Sequence, residues 1–392
     1  MTVPAMTSTA DSGRSRSLAQ TLAVQTQVHL PGTVGRLLKQ IRDLEQVAPL
    51  FRDAGLVRPV ERPKPLSTNV AGIATHAVSC KAVGGFLYVA AAARFDLTVK
   101  DNFVATRAED SECEIDDIDY EDQSKRFQLV GVRQAYRLAE RALASEQPYD
   151  LILLDCPLLL NRSMVAPQQS QRYSAYREIY EATISDIGQF WTRNREQLFP
   201  WNPRGPIMAG IASQRFGAIV SVSQQDFRTD EGRKQVLHAD QLASEPLARL
   251  NGRRGTILGV GERRFITGIL GSYTRTAAFR MNVQTPRMEP ASVADLGATG
   301  LHYCGSIGTP PRMIQVIGDE PGWQPADFDK LAGTLMALTV AGGSNALPMA
   351  LQLATAQLEA LKPFLEHYAS GVRREMKSKQ IEDVWLSEMD EL

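Results

Sequence analysis

The sequence predicts an α/β protein, a mixed sheet flanked by helices. Three observations predict it. β-like segments at 70–82 and 85–93, with 99–105 as a plausible third strand, stand side by side before any clear helix, which fits an antiparallel meander. The later chain then alternates helical patterns with short apolar runs. Helical periodicity also marks both ends of the chain.

Taken in order, residues 1–16 (MTVPAMTSTADSGRSR) read as a disordered leader without the apolar core of a secretory signal. Residues 17–58 form an N-terminal helical segment with an expected break at Pro31-Gly32. Beyond it Val34, Leu37, Leu38, Ile41, Leu44 and Val47 build one apolar stripe. VRPVERPKP ends the segment, because proline cannot continue a helix. FLYVAAAARF has the continuous apolar character of a buried strand. In the run 109–122, nine of fourteen residues are Asp or Glu. It lacks the Gly and the final Glu of an EF-hand and reads as a solvated acidic loop, with a mimic of nucleic-acid charge or a contact for a basic partner as the rarer use.

A helix at 124–145 and Gln147-Pro148 lead into LILLD, the strongest local signal in the chain. Four aliphatics followed by Asp155 put a carboxylate at the carboxyl end of a buried strand, where sites of α/β sheets gather. Further helices are expected at 173–198, 242–251, 328–340 and 348–370. Strands are expected at 207–212, 218–222, 266–270, 277–283 and 313–317. Arg253, Arg254, Arg263 and Arg264 bracket GTILGVGE as if on the two strand ends of a hairpin. They offer a phosphate contact or an ordinary surface. The tail, 371–392, is charged and peripheral.

Composition narrows the classes. The chain has 392 residues, 43 Lys+Arg, 44 Asp+Glu and a net charge of -1, so any nucleic-acid contact must be local rather than a bulk electrostatic coat. Cys80, Cys113, Cys156 and Cys304 are scattered without metal spacing and read as reduced thiols of a cytoplasmic protein. No apolar run reaches the roughly 18–20 residues that span a bilayer. There is no GxxxxGK[ST], no GxSxG and no HExxH. One constellation carries chemistry. Glu140 sits on the helix that feeds the strand ending in Asp155. A helix packed on a sheet can bring such a pair to one edge to share a divalent cation. The bland alternative is a loop-capping Asp and an exposed helical Glu.

The order of these parts resembles the NurA nuclease family. Four stretches carry the resemblance: VAGIATHAVSCKAVGGFLYVAAAARFD; RQAYRLAERALA with YDLILLDCPLLL; IMAGIASQ; and AAFRMNV with GGSNALPMALQLA. It implies an RNase H-like mixed sheet flanked by helices over 66–370, with N-terminal and C-terminal helical extensions. It also implies a homodimer, a HerA-type hexameric DNA-translocating ATPase as partner, DNA as substrate, and Mg or Mn as cofactor if the chain is active. Carried over residue by residue, Glu140 and Asp155 match the family's helical Glu and central-strand Asp.

The family's first-strand Asp falls at Ala74 and the Gly after the central Asp is Cys156. The Lys falls at Ser213 or Gln214, the Tyr near Ser344 and the His near Gln352. Asp96, at the end of the second strand, is the substitute third metal ligand. Three readings stay open: a NurA-like subunit with a degenerate nuclease centre, an active nuclease using Glu140, Asp155 and Asp96, and a protein-interaction scaffold without DNA contact.

Overall fold

The computed structural model describes residues 17–61, 65–118, 123–146, 148–160, 164–165, 174–212, 232, 234–260, 262–281, 297–306, 309–341, 347–381 and 386. The core starts with β2 (Thr68–Ala82), β3 (Gly85–Lys100) and β4 (Phe103–Ile118), preceded by the short β1 (Val57–Pro59). β2, β3 and β4 form an antiparallel meander. Helix α2 (Gln123–Leu143) then leads to β5 (Leu151–Leu154), which pairs parallel with β2. Helix α3 (Ser174–Asn194) leads to β6 (Ile207–Ala212), parallel to β5. The order β4-β3-β2-β5-β6, with three parallel central strands and an antiparallel flank, is the RNase H-like arrangement.

The sheet continues beyond this core through β10 (Arg312–Ile317), β9 (Ala298–Cys304), β7 (Thr274–Thr276) and back to β1, with β8 (Phe279–Arg280) pairing β9, ten strands among the described residues. Alternation along β2 divides the two faces. Ala71 and Ile73 enter one core with Ile152, Leu154 and residues of α2 and α3. Val70, Leu151 and Leu153 enter the opposite core, with Trp323 and helix α7 (Pro325–Ala341). Helix α8 (Met349–Leu358) lies on that second face, directly over Gly72: a Cβ there would stand 2.5 Å from the Ala350 carbonyl carbon. Gly72→Ala is therefore expected to push α8 off the sheet and lower stability by about 1–3 kcal/mol, read as a shift in the thermal unfolding midpoint.

A third cluster holds the chain's first helix. α1 (Leu18–Asp53) opens with a capping box, Ser17 accepting from the Gln20 backbone and the Gln20 side chain accepting from Ser17 N–H. Its last turns bury Leu44, Val47, Ala48 and Phe51 against α4 (Ser244–Gly252), α5 (Arg254–Leu258) and α6 (Glu262–Ile269).

Several elements differ from the sequence reading. α1 does not break at Pro31-Gly32. It runs through Pro31 and Pro49, and only its last turns are buried. The acidic run is no loop over 109–118. It is the second half of β4, paired residue by residue with β3. Asp110 and Glu112, two residues apart, face α2, where Arg141 meets both and Arg137 meets Glu112, while Arg94 of β3 meets Asp110. The expected third strand at 99–105 straddles the β3–β4 hairpin. Asp101 and Asn102 both take positive φ there, the backbone of a two-residue hairpin turn.

Residues 266–269 are helical in α6 rather than a strand, so the arginine pairs sit on helices instead of hairpin ends. The expected helix 348–370 is two, α8 and α9 (Leu361–Ser378), with Pro363 in the first turn of the second, where a missing N–H is tolerated. The tail is not wholly peripheral: α9 runs to Ser378, and Leu386 is buried with Cys80, Leu87 and Leu365. The leader 1–16 and the strand expected at 218–222 lie outside the described residues.

Candidate active site

Three parallel strands point their carboxyl ends the same way, and Asp155 follows the last residue of the middle one. Its backbone N–H donates to Ile73 O at 3.0 Å, which extends the β2–β5 ladder by one step. Thr75 of β2 then holds the carboxylate. Thr75 N–H donates to Asp155 Oδ2 at 2.9 Å and the Thr75 hydroxyl donates to Oδ1 at 3.0 Å. Gly131 of α2 closes over this pair, its position leaving 3.2 Å between a Cβ and the Thr75 Cβ. On the other side β6 passes so near that a Cβ on Gly210 would lie 2.5 Å from Cys156 O. The thiol of Cys156 is buried and its pKa is pushed well up by that burial, so it is no nucleophile at neutral pH.

Desolvation raises the Asp155 carboxyl from its ordinary 3.8 to about 6, against the opposing pull of the Thr75 hydrogen bonds. The folded-state pKa is raised, so the folded chain prefers the protonated acid. That contribution to stability is fully present below about pH 4 and is lost as pH rises through about 6. Asp155→Asn keeps the shape and can still pair with Thr75. Wild type is therefore expected to lose up to about 2–3 kcal/mol relative to Asp155→Asn between pH 4 and 7. Urea unfolding at several pH values measures this, and parallel curves for the two proteins would contradict it.

The structure does not bring the other sequence-derived ligands to Asp155. Gly131 marks the level of Thr75 on α2, and Glu140 lies nine residues further, about 13 Å along the axis. Glu140 instead pairs with Arg193 of α3 at 3.0 Å, both side chains well exposed. It is the one carboxylate in α2. Asp96 stands opposite Ala71, four residues and about 13 Å along the sheet from Thr75. There it accepts from Tyr149 Oη at 2.8 Å and meets Arg94 Nε at 3.3 Å. It is a buried structural acid at the amino end of β5.

Ala74, where the family resemblance puts the first-strand Asp, is fully buried among Ala91, Ala93, Ala354 and Leu358 beneath α8. Gln352, near the expected His, donates to Leu347 O at 2.6 Å. Ser213, Gln214 and Ser344 lie outside the described residues. Arg253, Arg254, Arg263 and Arg264 sit on the α4–α6 lobe beside β7, four strands and about 19 Å across the sheet from β5. The side chain that the sequence reading missed is Thr75. Its role depends on pairing with a residue 80 positions away, and nothing local marks it.

Two-metal hydrolysis needs several carboxylates around cations about 3.5–4 Å apart. Among the described residues no group of three or more His, Cys, Asp or Glu could hold a metal ion. Asp155, oriented by Thr75, is one carboxylate where such a centre needs several. The described residues therefore do not fit a Mg or Mn centre.

A strand order of this kind, with an acid at the end of the central parallel strand, defines an RNase H-like α/β fold. The NurA nuclease of Sulfolobus solfataricus superposes with a TM-score of 0.55 at 12% identity, over 90% of this chain and 98% of that one. Two further NurA crystal structures, one of them with manganese, align at TM-scores of 0.47 and 0.42 with 10% and 11% identity. They cover 92% and 88% of this chain and 99% and 98% of theirs. No family model and no curated protein matches the chain. The fold is NurA-like, as the sequence resemblance implies.

Proposed function

We propose that this chain is a NurA-like subunit whose own nuclease centre is degenerate. It would work in the cytoplasm, as a homodimer, with a HerA-like hexameric DNA-translocating ATPase in DNA-end processing or anti-phage defence. The observation that carries the reading is the state of Asp155. It keeps the place of a catalytic acid at the end of β5, yet no second carboxylate joins it among the described residues, and Ala74 is packed under α8. The NurA-like fold supports the partnership. So does the first half of α1, where Leu18, Leu22, Val28 and Leu30 are more than half exposed. That is apolar surface for a partner subunit to cover. No helix among the described residues is long and apolar enough to cross a membrane.

The test is degradation of linear duplex DNA with Mg²⁺ or Mn²⁺, comparing wild type with Asp155→Ala, alone and with a HerA-like ATPase. The reading expects no cleavage that depends on Asp155, and co-purification of the two proteins. Cleavage abolished by Asp155→Ala would show an active nuclease instead. Failure to associate with any translocase would leave a scaffold of another kind.

A further inference from the structure

Away from Asp155, the α1–α6 lobe gathers cationic side chains from two distant parts of the chain. Gln40 of α1 fixes the arrangement. Its Nε2 donates to Gly259 O at 3.3 Å, and its Oε1 accepts from Arg264 Nη1 of α6. Arg36 lies one helical turn before Gln40, and Lys39 adjoins it. Arg253 caps the junction of α4 and α5, and Arg254 begins α5. Arg36, Lys39, Arg253 and Arg264 are exposed and Arg254 is half-buried. Asp43, a turn beyond Gln40, is the opposing carboxylate on this stretch of α1. Glu262 opens α6.

We propose that this surface binds the phosphodiester backbone of DNA, separately from the Asp155 end of the sheet. The ligand class rests on the DNA-handling reading above; the surface rests on the residues themselves. A guanidinium has five donors in a fixed fork, so Arg264 can hold Gln40 and still present N–H groups outward. The aromatic residue of the lobe helices α4–α6, Phe265, is fully buried. The surface therefore grips phosphates without stacking on bases, and it takes duplex DNA without regard to sequence. It also gives the near-neutral chain a local cationic face, on the same helix whose apolar first half awaits a partner.

The experiment is fluorescence anisotropy of a labelled duplex of about 30 base pairs with the full chain at 50–200 mM salt. With four or five phosphate contacts, affinity should fall roughly 10²- to 10³-fold across that range. Arg253→Gln and Arg264→Gln should each flatten the plot of log affinity against log salt by about one unit. Arg193→Gln, a charge-matched change on α3, should leave it unaltered. Circular dichroism melts confirm that each variant is folded, and Arg36→Gln serves as a third variant, outside α4–α6. An unchanged slope in all three lobe variants, an equal loss in Arg193→Gln, or no binding at 50 mM salt overturns the proposal. DNA binding through these arginines without association with a translocase sinks the partnership alone. Association with the translocase and DNA binding indifferent to the arginines sinks this surface alone.

Discussion

Ala74→Asp, the change that would restore the first-strand acid of the family resemblance, is expected to lower stability by about 3–5 kcal/mol. It is also expected to leave divalent-cation binding unchanged. Ala74 is fully buried, and its neighbours are the alanines of β3 and the Ala354 and Leu358 side chains of α8. Nothing there can pair with a charge, so the new carboxylate would either stay protonated or force α8 away. It would also point to the wrong side. Alternation along β2 sends Ala74 toward α8 and Thr75 toward α2, and Asp155 is held from the Thr75 position. Urea unfolding measures the loss, with Ala74→Ser as the milder control. A variant as stable as wild type would mean that α8 does not seal this face.

Trp323→Ala should be as damaging, about 3–5 kcal/mol. Trp323 is fully buried where the chain leaves β10 for α7. Its indole N–H donates to Ile317 O at 2.9 Å, its ring stacks on Phe328 at 4.9 Å, and Phe199 meets it edge-on at 4.7 Å. Removing it leaves a large cavity between sheet and helix and an unpaired carbonyl. Trp323→Phe keeps most of the volume and should cost less than half as much. Equal losses for the two variants would place the stabilisation in the hydrogen bond rather than in the packing.

How much of this was legible in the sequence differs element by element. LILLD declared both its strand and the position of Asp155, because four consecutive aliphatics between Pro148 and the polar Asp155 are too short for a helix and fit a strand buried on both faces. β4 was hidden by its composition: the carboxylates suggested solvent, yet Asp110, Glu112, Glu114 and Asp116 recur at every second residue, the period of a strand. The Asp101-Asn102 turn was the second overlooked signal. In α6 and the residue after it, Phe265, Ile266, Ile269 and Leu270 are buried. That is a helical spacing, but a window of five residues cannot separate it from a strand. β9 was unread because its seven residues, all buried, include Gly300 and His302.

The site itself was half legible. A helix that runs back along the sheet to feed the next strand places its last turn at that strand's beginning. Glu140, in the last turn of α2, could therefore not reach Asp155 at the far end of β5, and that much followed from element order. Thr75 could not be foreseen, since only the parallel register of β2 and β5 sets it beside Asp155.

The proposed degenerate centre requires that the carboxyl end of the β2–β5–β6 strands hold no catalytic metal pair. Calorimetric titration of Mn²⁺ into the full chain at neutral pH, beside Asp155→Asn, tests it most directly. The account predicts heats no stronger than weak surface binding and the same for both proteins. Stoichiometric, tight binding in wild type that disappears in Asp155→Asn would contradict it.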